Sequence, residues 1–151
     1  MIDILTLKER TVEVKSLIPE IKFTDFVASD DELVHSLMNL KKSDNIMLVS
    51  VVPSYSGFGI EDSSGFRTYL NFYILEKTDD KQLRNRDEYM AVFQRTLAAA
   101  RRFIAEVFSI EGQICISSEL EYSSLMLRPV INKAQCYGWM LEIDEKKYED
   151  F

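Results

Sequence analysis

Phe66 to Lys77 reads FRTYLNFYILEK and alternates along its whole length. Phe66, Thr68, Leu70, Phe72 and Ile74 fall on one side of an extended chain. Arg67, Tyr69, Asn71, Tyr73 and Leu75 fall on the other. Successive side chains of a strand point to opposite faces, so this period-two pattern of aromatic and branched residues predicts a strand with one buried face. Its length, and the apolar or helical segments on both sides, place it at the centre of a sheet.

Working upstream, Ser54 to Gly65 (SYSGFGIEDSSG) is rich in glycine and serine and reads as a long loop, a candidate contact surface with Tyr55, Phe58 and Ile60 as its apolar members. Ile46 to Val52 (IMLVSVV) is apolar on both faces, as in a strand covered on each side, and Pro53 ends it because proline cannot donate to a ladder. Ser43, Asp44 and Asn45 form a turn. Ser29 with Glu32 makes a capping-box pattern, and Asp30 and Asp31 add charge favoured at a helix N-terminus. The helix they open carries Leu33, Leu37 and Leu40, with Val34 and Met38, to about Lys41. Ile21 to Val27 is a short strand or extended segment. In Met1 to Ile18, Ile4, Leu7, Thr11, Val14 and Ile18 keep helical spacing, although Thr11 to Lys15 also alternates. Pro19 as a stop favours the helix.

Working downstream, Thr78 to Lys81 is a turn and helix start. Gln82 to Ile110 is helical, with Met90, Phe93, Leu97, Ala100, Ile104 and Val107 on the expected buried stripe and Gly112 as its cap. Gln113 to Ser117, Ser124 to Ile131 and Cys136 to Asp144 are strand-like. Pro129 predicts an edge strand or a bulge for the second, and Glu145 to Phe151 reads as a fraying charged tail. The fold class that follows is α/β of the α+β type, a single domain over 1–151, with a mixed, mainly antiparallel sheet and helices packed on it.

Bulk properties narrow the function classes. With 151 residues, 46% hydrophobic and 28% charged, the chain suits one folded domain. A net charge of −7 disfavours direct nucleic-acid binding, since phosphate backbones demand a positive footprint. Cys115 and Cys136 are too few for a disulfide scaffold and read as buried thiols. No secretory leader and no stretch of membrane-spanning length is evident, so the expected setting is cytoplasmic, with no membrane partner.

Catalytic patterns are missing. His35 stands alone between Val34 and Ser36, whereas metal sites and base–nucleophile pairs need further such groups. Gly57-Phe58-Gly59 lacks the third glycine of a dinucleotide fingerprint and precedes a strand instead of opening a helix. Asp30 to Glu32 and Asp79 to Asp80 are explained by helix capping, and Glu13-Val14-Lys15 lacks a partner aspartate strand. Glu119 and Glu121 sit at a turn. With Asp62 they are the residues a metal-dependent enzyme would use, but a solvated hairpin end is favoured. The chain is therefore read as a non-enzyme with no cofactor and no metal. Arg84, Arg86, Arg95, Arg101 and Arg102 concentrate positive charge on the long helix. Arg95 and Arg102, seven apart, share a face that is either solvated or a ridge for an acidic neighbour, including another copy. Arg67, Tyr69 and Tyr73, on the outer face of the central strand, meet either the domain's own helices, the favoured reading, or a partner.

The order helix, short strand, helix, strand, loop, long strand, long helix and closing strands resembles the tail-terminator and tail-completion (neck) proteins of long-tailed phages. IMLVSVV, FRTYLNFYILEK, the long helix and CYGWMLEID carry the resemblance. It implies a structural virion component that forms a homo-oligomeric ring, caps or completes the tail, and meets tail-tube or head–tail connector proteins. The setting would be cytoplasmic during assembly and virion thereafter. The alternative is a small non-enzymatic adaptor that partners another protein.

Overall fold

The computed structural model describes residues 1–60, 63–79, 81–108 and 116–149. Within them the chain runs α1 (Ile4–Ser16), β1 (Phe23–Val27), α2 (Asp30–Met38), β2 (Met47–Val51), β3 (Ser54–Ile60), β4 (Ser63–Lys77), α3 (Arg86–Val107), β5 (Leu120–Lys133) and β6 (Cys136–Tyr148). Short 3-10 turns occupy Lys42–Asp44 and Gln82–Arg84. The sheet order is β1-β2-β4-β6-β5, with β3 also on β4. Only β1 and β2 are parallel; the other pairings are antiparallel. This is an α+β domain with a mixed, mostly antiparallel sheet and helices packed on it.

The central strand lies where its alternation places it. One edge of β4 pairs with β6 along Gly65 to Lys77. The other edge pairs with β2 along Phe72 to Leu75 and with β3 along Ser63 to Tyr69. Thr68, Leu70, Phe72 and Ile74 are buried on the face that α1 and α3 cover. Phe72 meets Phe103 of α3 with ring centroids 4.9 Å apart. Leu75 is buried on the other face with Met47 and Val49 of β2 and Leu33, Leu37 and Leu40, which α2 brings down. The doubly apolar β2 is thus covered on both faces, as its sequence requires.

Ser54 to Gly65 departs from the expected loop. Its described residues are β3 and the start of β4, paired from Ser54–Tyr69 to Ile60–Ser63. The glycines that signalled a loop instead permit close approach. A Cβ on Gly65 would lie 2.2 Å from the Lys147 carbonyl oxygen and 2.8 Å from Cζ of Phe58. Gly59, at φ +101°, would place a Cβ 2.0 Å from the Ser63 carbonyl oxygen. Pro53 does end β2, which stops at Val51, and β3 then takes up the same edge of β4 from Ser54, with one residue gained between the Ser50–Phe72 and Ser54–Tyr69 pairs.

Glu145 to Tyr148 does not fray. It extends β6 against Gly65 to Thr68, because β4 begins earlier than its aromatic core and offers a ladder there. Glu145 is buried, and its Oε1 accepts from Ser117 Oγ at 2.9 Å. Pro129 sits in β5, an edge strand with irregular register, as expected. The segment Gln113 to Cys115, the Gly112 cap, Cys115 and Asp62 lie outside the described residues.

The buried stripe of α3 is rotated from the expected one. Val92, Thr96, Ala99, Ala100, Phe103 and Val107 face the core, and Met90 is exposed. Thr96 can be buried because its hydroxyl donates to the Val92 carbonyl at 2.8 Å, and the two alanines admit the sheet closely. Phe93 moves to the flank, where it meets Trp139 and Tyr137 edge to face. In α1 the helical reading holds, with Leu7, Thr11 and Val14 buried. Ser29 caps α2, accepting from Glu32 N–H at 3.2 Å, while the Glu32 carboxylate reaches back to Ala28 N–H at 2.6 Å. Such a cap contributes about 1 kcal/mol. At the other end of α2, Lys77 Nζ donates to the Leu37 and Met38 carbonyls and so ties the helix to β4.

Candidate functional site

The two faces of the sheet are finished differently. The α1/α3 face is covered. On the opposite face α2 covers the β1–β2 side and the C-terminal half of β4, and neither core cluster includes the outer residues of the N-terminal half. That open area joins β3, the first half of β4 and the last half of β6, with β5 beside it.

Phe58 of β3, Gly65 of β4 and Tyr148 of β6 are in register across three strands. The absent Gly65 side chain lets the Phe58 ring lie over the central strand. Phe58 then meets Tyr148 edge to face with centroids 4.9 Å apart. Lys146 holds its ammonium 4.7 Å from the Phe58 centroid and 5.7 Å from that of Tyr148. One step along, Ser56 faces Arg67, and the Tyr69 hydroxyl lies 3.1 Å from Ser56 Oγ. Arg67 stands 3.9 Å from the Asp144 carboxylate, and its buried Nε has no partner. Burial pushes the Asp144 carboxyl up, against the opposing pull of Arg67. Large apolar side chains exposed on these strands include Ile60 (76%), Tyr148 (61%) and Met126 (47%).

The predicted contact residues therefore separate. Phe58, Ile60, Arg67 and Tyr69 belong to the open area. Tyr55 turns to the other face, packs on the core and donates to the Ile2 carbonyl at 3.0 Å. Burial pushes its phenol up, with Asp3 and Glu145 adding to the effect. Tyr73 packs against the cluster under α2, below Lys133 at 5.5 Å. Burial raises its phenol too, against the pull of Lys133. For Tyr73 the domain's own helix is the cover, as expected; for Tyr69 it is not.

Arg95 and Arg102 are used internally. Arg95 grips Glu76 with two bonds of 2.7 and 3.1 Å, fastening α3 to the end of β4. Arg102 bonds Glu20 at 3.2 Å and the Leu17 carbonyl at 3.1 Å, closing the end of α1. His35 is exposed on α2, with Nε2 3.3 Å from Asn39 Nδ2. Among the described residues no group of three or more His, Cys, Asp or Glu is placed to hold a metal ion. Glu121 faces Asp144 across β5 and β6. Cys136 is buried, which pushes its thiol up to about 11.

Lys146 and Tyr148 are the site residues that sequence reasoning passed over, because a charged terminal run reads as a tail. The signal available was the alternation of the preceding strand continuing through EIDEKKY. The open area can stack, bond and cover apolar groups: it offers ring faces, hydroxyls and tethered charges for recognition. No helix among the described residues is long and apolar enough to cross a membrane. No protein-family model matches the chain, and no curated protein matches it.

Proposed function

We propose that the chain is an assembly subunit that acts through its surfaces, in the manner of a phage tail-completion or neck protein that joins a homo-oligomeric ring. One observation carries this reading: half of one sheet face has no helix over it among the described residues, and it holds the exposed Ile60 and Tyr148 and the half-buried Phe58 and Tyr69 on paired, well-braced strands. A sheet face of aromatic and charged residues matches the composition of protein contact surfaces. The β3–β4 hairpin, in place of a loose loop, supports the reading by giving that surface a fixed shape. The element order adds the resemblance to tail-terminator proteins. In this role the hairpin and open face meet the tail tube or a neighbouring subunit.

Light scattering of the purified protein, followed by negative-stain imaging with and without tail tubes, tests the proposal. Ring particles or decorated tube ends are the expected result. A strict monomer that ignores tail tubes would overturn it. A fixed complex with a different protein and no self-assembly would favour the adaptor role instead.

A further inference from the structure

Uncompensated charge of opposite sign collects at two separate places on the surface. Arg10, Arg67, Arg95, Arg102 and Arg128 each face a carboxylate. Arg101 on α3 faces none among the described residues, and neither do Arg84 and Arg86, exposed together at the corner where the Gln82–Arg84 turn enters α3. Arg84 and Arg86 line a shallow depression of about 520 Å³ walled by Tyr89 and Tyr137, with Ile131 exposed at 63%. Glu88, nearby in sequence, lines the neighbouring cleft beside Arg95 instead.

The second place is a groove of about 710 Å³ between α2 and the edge strand β1. Asp25, Asp31, Glu32 and Asp44 line it, with His35 as its one titratable base. None of these carboxylates forms an ion pair among the described residues. Asp25 accepts from Phe26 N–H and Ser36, Glu32 from Ala28 N–H, and Asp44 from Lys41 N–H. Asp31 is free of any such bond. Phe23 and Leu40 supply an apolar floor. The groove lies at the β1 edge of the sheet, and the arginine corner lies toward the β5–β6 end.

We propose that copies of this chain associate head to tail, with the arginine corner of one copy, Arg84 and Arg86, seated against the acidic α2–β1 groove of the next. The inference rests on the assembly reading above and names the contact within it. Charge complementarity selects the occupant: in a chain of net charge −7, this corner is where unpaired guanidinium groups meet an aromatic wall. Guanidinium forks bind carboxylates in pairs, which sets orientation as well as attraction. Because the two surfaces differ, each contact leaves one of each kind unused, and addition continues until the assembly closes.

The test uses light scattering of the full chain over a range of concentration and salt. Wild type should self-associate, with mean mass falling as salt rises. Arg84→Ser/Arg86→Ser and Asp31→Lys/His35→Lys should each weaken self-association at least about ten-fold. Mixed together they should form a one-to-one heterodimer and nothing larger, since only one complementary pair survives. Both exposed double substitutions should keep the circular dichroism spectrum of wild type, and the salt titration of wild type stands independently of them. An oligomeric wild type whose mass neither pair of substitutions alters would overturn this contact and leave the assembly reading standing. A wild type that is monomeric throughout would overturn both.

Discussion

The two halves of β4 obey the same alternation and have opposite fates. From Leu70 to Leu75 the strand is flanked by β2 and β6 and covered on both faces. From Ser63 to Tyr69 it is flanked by β3 and β6, and its outer face meets no helix among the described residues. The difference does not come from β4 itself, whose outer residues are similar in both halves: Tyr69 and Tyr73 are both half-buried, but Tyr73 packs on the cluster under α2 and Tyr69 joins neither cluster. It comes from the reach of α2, whose nine residues cover one end of the sheet and stop. A strand that is all core at one end thus becomes a presenting surface at the other.

The closed half should be the more sensitive to substitution. Phe72→Ala removes a fully buried ring that packs at a tilt against Phe103, and should cost about 3–5 kcal/mol in urea unfolding. In the open half, Gly65→Val should cost less, about 1–3 kcal/mol, because the new side chain meets backbone across the β4–β6 ladder. Hydrogen exchange should quicken around Gly65 to Thr68 and stay slow around Phe72. Equal loosening of both halves would show that they are one cooperative unit. Phe58→Ala should cost about 1 kcal/mol, the scale of its contact with Tyr148, and under the proposed role should abolish attachment to tail tubes. A variant that binds as wild type would remove the open face from the function.

Two smaller effects sharpen the picture. Asp144 has a carboxyl pKa raised by burial. A group raised in this way stabilises the fold fully below its unfolded pKa, and that contribution is lost as pH rises through the folded value. Above that range burial of the charged carboxylate costs stability, so Asp144→Asn should unfold at slightly higher temperature than wild type at neutral pH. The gap should close as pH falls below the ordinary aspartate range. An Asn variant less stable at neutral pH would mean that the Arg67 pairing outweighs burial. Last, Cys136, with its thiol pushed up to about 11, should resist alkylation in the native protein and react on unfolding, as peptide mapping would show.

Much of this was legible in the chain. Alternation marked β4 and most of β6, capping residues marked α2, and doubly apolar composition marked β2 as an interior strand. Local signals failed where long-range pairing decided the outcome. Ser54 to Ile60 has loop composition, yet a pre-extended β4 offered it a ladder, and glycine was needed for the crossing of Phe58 over Gly65. Lys146 and Tyr148 look like a tail until the same ladder captures them. On α3, residues at three- and four-residue spacing were visible on two overlapping stripes. Thr96 belongs to the stripe that wins because its hydroxyl is satisfied within its own helix.

What the chain determined by itself is the set of elements and their buried sides, since period, caps and proline stops are local properties of neighbouring residues. What tertiary structure alone decided is which surfaces are left over. Arg95 and Arg102 became internal clamps because Glu76 and Glu20, distant in sequence, came within bonding range. Tyr69 joins neither core cluster because α2 stops short of it. Both outcomes depend on distances between elements, and no local pattern of residues encodes those distances.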